Sequence, residues 1–303
     1  MSENLKVLKF EKIIISGGNG FTGRYLCKYL ISRGLKFSVI LRPGTNADWM
    51  VQNKIPIIYF DLYQISENLK VLKNFDCFIN IASIGFGLCK HIIEACEMVS
   101  IQRVIFISST SIFTSLNASS KEIRTEAENL IMKSNLIWTI IRPTMIYGSP
   151  RDRNMIRLIR WIDHFPILPI FGSGNALQQP INVEDLVSFI YRTIKKKEAF
   201  NNVFNVSGKE PITFNQIIKI ISKVLKRKPL KIYLPSSITS QILFFLELLN
   251  IKLPIKSEQI KRLNEDKSFS HKKAKTLIGY DPINFHEGIK REIFMYKNQK
   301  EEY

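Results

Sequence analysis

A glycine-rich turn near the start of the chain constrains its fold more than any other feature. The β-branched run Ile13–Ile15 leads into Gly17, Gly20 and Gly23, and apolar residues at helical spacing follow. In such a turn the first glycine allows a sharp bend, the second lets a pyrophosphate approach the backbone, and the third lets the helix pack on the strand. Free N–H groups at the helix start attract phosphate. The turn predicts a dinucleotide site in an α/β domain; the alternative is a strand-to-helix turn that binds nothing.

The charge balance is strongly basic. The 303 residues carry 44 Lys and Arg against 26 Asp and Glu, a net charge of +18. Such a charge can attract nucleotides, nucleic acid or an anionic membrane. The lysines are spread along the chain, however, and no basic stripe is interleaved with aromatic residues. We therefore predict no nucleic-acid partner and interpret the charge as largely background.

The cysteines, histidines and apolar segments indicate the compartment. The four cysteines form no CxxC pair and the four histidines are scattered, so neither a disulfide framework nor a metal site is expected. The N-terminal residues lack the apolar core of a secretory signal. The apolar run Ile242–Leu249 is too short to span a bilayer and is interpreted as a core or dimer helix. We expect a cytoplasmic protein with no transmembrane segment.

Strand and helix patterns alternate along the first two thirds of the chain. This rhythm predicts an α/β fold with a Rossmann-type, doubly wound parallel sheet. The predicted strands after the first are Phe37–Leu41, Pro56–Phe60, Phe75–Ile81, Arg103–Ile107, Leu136–Ile141 and Asn202–Val206, and predicted helices include Gly87–Ser100 and Lys121–Lys133.

The pattern loosens after Pro143, and the last 70 residues are predicted to be mainly helical. We predict a dinucleotide-binding core formed by residues 1–148 and about 176–207. A smaller substrate-binding lobe would comprise about 149–175 and 208–303. Because no flexible linker separates them, the two would interleave in one structural unit.

A series of motifs in order resembles the extended or atypical short-chain dehydrogenase/reductases, of the NAD(P)-dependent epimerase/dehydratase type. The resemblance covers residues 12–293. Each motif is weak alone, but their order is specific. They are the glycine turn, Phe60-Asp61-Leu62, Ile79-Asn80-Ile81-Ala82-Ser83, Phe106-Ile107-Ser108-Ser109, Arg142-Pro143-Thr144-Met145-Ile146-Tyr147-Gly148 and Leu277-Ile278-Gly279-Tyr280-Asp281-Pro282.

The resemblance implies a set of cofactor-binding residues. Asp61 would bond the adenine amino group, although a turn or helix cap is the alternative role. Ala82 and Ser83 would lie along the ribose and nicotinamide, and residues 143–145 against the carboxamide. The implied set is Gly17, Asn19, Gly20, Phe21, Thr22, Gly23, Arg24, Arg42, Asp61, Leu62, Ala82, Ser83, Ser108, Arg124, Pro143, Thr144 and Met145.

The end of the second strand indicates which dinucleotide is preferred. NAD-binding members place an acidic residue there, on the ribose hydroxyls. This chain has Arg42 instead, and Arg24 follows the third glycine. A guanidinium can hold a 2′-phosphate through two hydrogen bonds. We therefore predict NADP as the preferred cofactor and NAD as the other possibility, unless Arg42 is simply a solvated loop residue.

The catalytic positions depart from the family pattern. The family uses Ser or Thr with a Tyr-x-x-x-Lys, in which the lysine lowers the pKa of the tyrosine. Ser109 matches the first position, but alignment on Ala127-Glu128-Asn129-Leu130 places Ser120 and Arg124 at the other two. A serine hydroxyl is too weak an acid to replace a tuned tyrosine.

Two functional hypotheses follow from this departure. The first is an enzyme that transfers hydride on a nucleotide-sugar-like or other hydroxy or keto substrate. Its catalytic candidates are Ser109, Arg124 and Tyr147, with Lys121 or a water molecule as other proton carriers. The substrate candidates are Ser109, Tyr147, Arg151, Arg153 and Asn154. The second is a non-catalytic NADP-binding regulatory or assembly protein. A third class is a structural or interaction protein that forms a homodimer through the fourth and fifth helices, unless the apolar positions Ile92, Ile93 and Cys96 face the sheet instead.

Overall fold

The computed structural model describes residues 10–116, 119–237, 239–241 and 257–298. Its centre is a seven-stranded sheet in the order β11-β6-β5-β4-β1-β2-β3, in which every pairing is parallel. The strands are β1 (Ile13–Ser16), β2 (Phe37–Leu41), β3 (Ile57–Tyr59), β4 (Cys77–Asn80), β5 (Arg103–Ile107), β6 (Ile137–Pro143) and β11 (Asn202–Val206).

Helices cover both faces of this sheet and bury two apolar clusters against it. They are α1 (Phe21–Ser32), α2 (Asp48–Gln52), α3 (Leu69–Leu72), α4 (Cys89–Met98), α5 (Ser119–Lys133) and α7 (Val183–Lys195). The central strands β1, β4 and β5 are entirely buried, as expected of a parallel sheet covered on both faces, whereas the edge strands β3 and β11 are partly exposed. The predicted doubly wound Rossmann-type fold is confirmed, although several helix and strand ends differ by a few residues.

The strand order reverses between β1 and β4. In a doubly wound sheet, ligands bind at the carboxyl ends of the strands where the order reverses. Ser16 Oγ at the end of β1 donates to Asn80 Oδ1 at the end of β4 over 2.6 Å, and Asn80 Nδ2 donates to Ala82 O in the loop that follows β4 over 2.8 Å. The glycine turn therefore begins at the crevice where the fold class places its ligand.

Much of the rest of the chain forms a third apolar cluster beside the carboxyl ends of the strands, built by the helices α6 (Met155–His164), α8 (Phe214–Leu225) and α11 (Phe285–Lys297). Two further helices are α9 (Ser257–Leu263) and α10 (Lys272–Ile278), and α10 packs into one of the two clusters of the central sheet. Three two-stranded pairs accompany them. They are formed by β7 (Ile146–Tyr147) with β10 (Ile181–Asn182), β9 (Leu177–Gln178) with β12 (Ile212–Thr213), and β8 (Ile167–Phe171) with β13 (Leu230–Leu234).

This region confirms the predicted helical C-terminal part, but α6 and the β8–β13 pair were not predicted. The capping box of α8 shows why that helix was easier to recognise. Thr213 accepts from the Gln216 N–H, and the Gln216 side chain accepts from the Thr213 N–H. The apolar run 242–249 lies outside the described residues.

Candidate functional site

The glycine turn has the geometry that close approach to a ligand requires. Gly17 adopts φ +74°, and a Cβ there would lie 2.6 Å from the backbone nitrogen of Ala82. A Cβ on Gly23 would lie 2.2 Å from the carbonyl oxygen of Gly17. At Gly20 the nearest atom would be 3.4 Å away, an ordinary contact. Positions 17 and 23 therefore need glycine for the protein's own packing, whereas Gly20 leaves space that a phosphate group can fill.

Gly18 is a further constrained position that the sequence analysis did not assign. A Cβ there would lie 2.6 Å from Cγ1 of Val39 on β2. The turn is thus pressed against the neighbouring strand as well as against its own helix. The pair Gly17-Gly18 is visible in the sequence, but the spacing of the motif predicts a role for Gly17 only.

The two arginines considered for a 2′-phosphate have different environments. Arg24 donates from Nε and Nη2 to the Asn19 side-chain oxygen, over 3.0 and 2.8 Å, and its guanidinium lies 5.2 Å from the ring centre of Trp49. Arg24 thereby orders the glycine turn, which also contains Phe21 and Thr22 at the start of α1. Arg42 is exposed directly after β2. Arg42 is therefore the better placed of the two to meet a phosphate from solvent.

Asp61 has the capping role that was its alternative interpretation. Its Oδ1 accepts from the Tyr63 N–H over 3.0 Å and begins the 3₁₀ segment Leu62–Asn68. This bond uses one carboxylate oxygen. The contacts of Asp61 and Leu62 with adenine stay predictions.

Arg124 lies beside the loop that follows β4. Its Nη1 donates to Ser120 O over 3.0 Å, and a Cβ on Gly85 would lie 3.3 Å from its guanidinium carbon. Burial, and then the positive charge of Arg262, lower its pKa. In the same loop, Ser83 Oγ accepts from the Gly85 N–H. Arg124 and Ser83 are thus neighbours on the side of the crevice where the resemblance places the nicotinamide ribose.

Ser108 and Ser109 follow β5 and have different partners. Ser108 Oγ donates to Glu128 over 2.5 Å, and this buried carboxylate also accepts from Arg142 Nε, whose N–H is shared between its two oxygens, and from Arg142 Nη2. Ser109 Oγ accepts from the Ser111 N–H over 3.1 Å, which orients the hydroxyl and leaves its proton to donate. Ser108 is therefore committed to an internal ion pair, whereas Ser109 can act on a substrate.

A cavity of about 570 Å³ lies between the strand ends and the C-terminal region. It brings together Ser109, the Thr144 and Met145 predicted beside the nicotinamide, and the predicted substrate residue Asn154. Its wall also includes Thr110, Ser111, Phe113, Thr114, Met155, Arg157, Leu158, Gln178, Phe214, Ile217, Arg262, Leu263, Glu265, Asp266, Lys267 and Phe269. Some of the predicted catalytic, cofactor and substrate residues thus line the same cavity.

The C-terminal wall of this cavity was missed by the sequence analysis. Glu265 accepts from Thr114 Oγ1 and from the Ser115 N–H over 2.8 and 2.6 Å. Burial acts to raise its pKa, but these bonds outweigh it, and the pKa lies below its usual value. Burial, and then Arg262, lower the pKa of Lys267. No helical or strand period marks this stretch, so only its run of charged residues could have drawn attention to it.

Tyr147 does not belong to the catalytic candidates. It is 1% exposed, and its ring centre lies 5.2 Å from that of Phe285. A Cβ on Gly288 would come within 2.1 Å of its hydroxyl oxygen. Burial, and then the charge of Glu292, raise its pKa well above 10. The structure thus corrects the prediction for Tyr147, because its phenol is enclosed in the core and is neither a usable acid nor a substrate contact.

The arginines predicted to contact substrate lie just outside the cavity wall. Arg153 is exposed and Arg151 is partly buried, and neither lines the cavity that Asn154 and Arg157 reach. The arginine that does line the cavity is Arg157, in the first turn of α6. It lies four residues after Arg153.

A buried pair of acids fixes the loop that leads into the cavity. Glu292 on α11 is 0% exposed, and its Oε2 accepts from the Gly148 N–H over 2.9 Å. Asp152 is 5% exposed and accepts from the Asn154 N–H over 2.8 Å. Burial, and then Asp152, raise the pKa of Glu292 well above its usual value. The bond from the Gly148 N–H to Glu292 holds α11 against the loop, with Asp152 close by.

Comparison with known proteins agrees with this architecture. Residues 17–160 match the NAD(P)H-binding domain family. A 3beta-hydroxysteroid-dehydrogenase/decarboxylase of Arabidopsis thaliana is 23% identical over 95% of this chain and 80% of that protein. A photosystem II assembly factor of Trieres chinensis is 21% identical over 70% of this chain and 68% of that one.

A solved structure shares the fold over nearly the whole length. The UDP-glucuronic acid 4-epimerase of Bacillus cereus, solved with UDP-glucuronic acid and NAD, has a TM-score of 0.75 and 18% identity. The match covers 95% of this chain and 99% of that one. Among the described residues, no helix is both long and apolar enough to cross a membrane. Together these findings confirm the predicted resemblance.

Proposed function

We propose that this chain, a member of the extended short-chain dehydrogenase/reductase family, binds NADP at its glycine turn and transfers hydride on a hydroxy or keto substrate. One observation carries the proposal. Ser109, the family's serine, lines the same 570 Å³ cavity as Thr144 and Met145, which the resemblance places against the nicotinamide carboxamide. A substrate in this cavity would contact a hydroxyl donor and the reactive end of the cofactor together.

The residues around the glycine turn fit a dinucleotide. The absence of side chains at 17, 20 and 23 and the free N–H groups of the first turn of α1 suit a pyrophosphate. Arg42 would hold a 2′-phosphate, and Arg124 would lie at the nicotinamide ribose. When bound, the nicotinamide supplies a carbon that accepts or releases hydride.

The cavity suits a substrate that carries negative charge, such as a nucleotide-sugar. Three cations line it, namely Arg157, Arg262 and Lys267. The two acids in its wall are engaged by the protein: Glu265 by Thr114 and Ser115, and Asp266 by the Leu177 N–H. A phosphate or carboxylate would therefore meet a net positive wall. The solved epimerase that shares this fold was determined with a nucleotide-sugar.

The proton needs a carrier, because Ser120 and Arg124 occupy the positions of the family's tyrosine and lysine. Ser109 would polarise the reacting oxygen. Lys267 is the strongest candidate for the carrier, since it lines the cavity and its pKa is lowered by burial and Arg262. Both lysines donate to a carbonyl oxygen, Lys267 to Arg262 O and Lys121 to Thr114 O over 2.8 Å, but Lys121 does not line the cavity. A water molecule is the remaining possibility.

The second candidate function is a non-catalytic NADP-binding regulatory or assembly protein. The missing tyrosine and lysine favour it, and one relative is named as an assembly factor. Native mass spectrometry of gently purified protein distinguishes the two. An enzyme should carry a dinucleotide, with a second small molecule in some preparations. A dinucleotide alone, in every preparation and in the native host, would favour the second function, and no dinucleotide would contradict both.

Replacement of Arg42 tests the cofactor preference. Arg42→Asp should weaken NADP binding by about 10- to 100-fold and favour NAD, because hydrogen bonds to charged groups contribute about 1.5–3 kcal/mol. The measurement is the ratio of the two dissociation constants by titration calorimetry. Lys36→Asp is the matched control, since Lys36 is also exposed but lies directly before β2, at the amino ends of the strands and away from the predicted cofactor site. An unchanged ratio would show that Arg42 does not contact the 2′-phosphate.

Replacement of Ser109 tests the catalytic assignment. Once a substrate is identified, Ser109→Ala should lower kcat by about 100-fold, the usual effect of losing one donor to a reacting oxygen. Cofactor affinity should stay the same. Ser134→Ala, which removes a hydroxyl from the far end of α5, is the control. If kcat survives in Ser109→Ala but falls in Lys267→Met, the reacting oxygen is polarised elsewhere in the cavity.

A further inference from the structure

An exposed apolar patch lies at one end of the C-terminal region, away from the central sheet. It consists of Trp161 on α6, Phe165 directly after that helix, Ile167 on β8, and Leu230 and Ile232 on β13, and we call it the α6–β8–β13 patch. Each of the five side chains is between 41% and 64% exposed. Large apolar side chains clustered in this way commonly mark a surface that contacts another partner.

Backbone geometry makes these five residues neighbours. Leu230 pairs with Ile167 across the parallel β8–β13 ladder, and Ile232, two residues further along β13, lies on the same face. The indole nitrogen of Trp161 donates to the carbonyl oxygen of Ile167 over 2.8 Å. The ring centres of Trp161 and Phe165 are 4.9 Å apart. The patch is therefore one continuous surface built from three elements.

The chain segment that carries Leu230 and Ile232 is rich in positive charge. Residues 223–235 contain Lys223, Lys226, Arg227, Lys228 and Lys231 and no acidic residue. On α6, Asp163 is already paired with Arg227 Nε over 3.3 Å and with Lys297 Nζ over 2.6 Å. These bonds outweigh its partial burial and lower its pKa, so it remains an internally neutralised anion. An occupant of the patch would thus meet apolar side chains rimmed by cations.

We propose that the α6–β8–β13 patch docks the protein on the surface of a bilayer containing anionic phospholipid. Aromatic and aliphatic side chains beside lysines are the combination that binds the boundary between headgroups and acyl chains. A second copy of the chain fits less well, because a twofold contact would bring the same lysines face to face. Nucleic acid fits less well because aliphatic side chains dominate the patch, whereas bases stack on aromatic ones.

Vesicle sedimentation with the full chain tests the proposal. Large vesicles of phosphatidylcholine containing phosphatidylserine should sediment the protein, and vesicles of phosphatidylcholine alone should not. Added salt should weaken the binding. Trp161 should report contact, since Trp49 and Trp138 are only 3% and 9% exposed. Its fluorescence should shift to the blue on anionic vesicles, and Trp161→Phe should abolish that shift.

Variants of exposed residues locate the contact. The double variant Leu230→Ser, Ile232→Ser should weaken vesicle binding at least about tenfold, and Lys228→Gln about fivefold. Met98→Ser is the control, because Met98 is 68% exposed on α4 of the sheet domain. Absence of sedimentation, equal binding to both vesicles, or unchanged binding of the double variant would overturn the proposal. The proposal would also be overturned if the unmodified protein self-associated or bound a single-stranded oligonucleotide and the double variant lost that interaction but still bound vesicles.

Discussion

Gly20→Asp should abolish dinucleotide binding while leaving the fold as stable as before or slightly more stable. Gly20 is the N-cap of α1, with φ −73° and ψ 173°, values that any residue adopts, and no side chain caps this helix. Aspartate is a preferred N-cap and is stabilised by the positive end of the helix dipole. The same carboxylate would occupy the space of the pyrophosphate and repel its charge. The affinity should fall by at least about 100-fold, the equivalent of about 2.7 kcal/mol.

Titration calorimetry with NADP and NAD, together with thermal unfolding, would measure both effects. Gly20→Asn is the matched control, because it has nearly the same size and caps a helix equally well but carries no charge. It should retain more of the binding than Gly20→Asp. Full affinity in Gly20→Asp, with an unchanged melting temperature, would show that the turn does not hold a pyrophosphate.

Gly23 gives the contrasting case. A Cβ there would lie 2.2 Å from the carbonyl oxygen of Gly17 and 2.6 Å from the Cα of Gly18. Because these are backbone atoms, relief would require the turn itself to move. The same motif therefore contains glycines in two environments: at Gly17 and Gly23 the protein's own backbone leaves no space for a side chain, whereas at Gly20 it does, and only the structure distinguishes them.

The central sheet could be predicted because its signals are local. Each buried strand is a short β-branched or aromatic run such as Ile13–Ile15, and each helix has its own apolar period. The glycine spacing then placed the ligand crevice at the end of β1, where the strand order reverses. The sheet and the position of the crevice can therefore be predicted from the alternation of strands and helices alone, without knowledge of any long-range contact.

Most of the cavity residues that could be predicted follow a strand, with Asn154, at the start of α6, as the exception. Ser109, Thr144 and Met145 directly follow β5 and β6 and do line the cavity. Arg262 and Lys267 lie more than a hundred residues further along, in a stretch whose placement depends on tertiary packing. Tyr147 was misassigned because its position along the chain suggested access to substrate, whereas Phe285 and Gly288 of the distant helix α11 enclose it.

Buried charges form the other class of feature that the sequence did not show. Arg103 was predicted only as the first residue of a strand, and it is 0% exposed. Its guanidinium donates to the carbonyl oxygens of Thr193 and Ile194 in the last turn of α7, over 2.7 and 3.2 Å. Further bonds go to the carbonyl oxygens of Val104 and Ile137 and to the hydroxyl of Thr139. None of these partners is close to Arg103 in sequence except Val104.

Arg103→Met should lower the free energy of unfolding by about 3–5 kcal/mol, because several buried carbonyl groups would lose their donor and each unsatisfied buried polar group costs about 1–3 kcal/mol. The carbonyl groups at the end of α7 would lose their donors, and the negative end of the helix would lose its cation. Because single domains are stable by only about 5–15 kcal/mol, this is a large fraction of the total. Urea unfolding followed by circular dichroism would measure the change.

Two further variants keep this last prediction decisive if Arg103→Met fails to fold. Arg103→Lys retains the charge but cannot reach five acceptors at once, because an ammonium has three donors and no planar fork. It should fold and be less stable than the unmodified chain. Arg33→Met is the control, since Arg33 is exposed on Tyr29 at the end of α1. A loss of less than about 1 kcal/mol in Arg103→Met, no greater than in the control, would show that water or local rearrangement replaces the guanidinium at the end of α7.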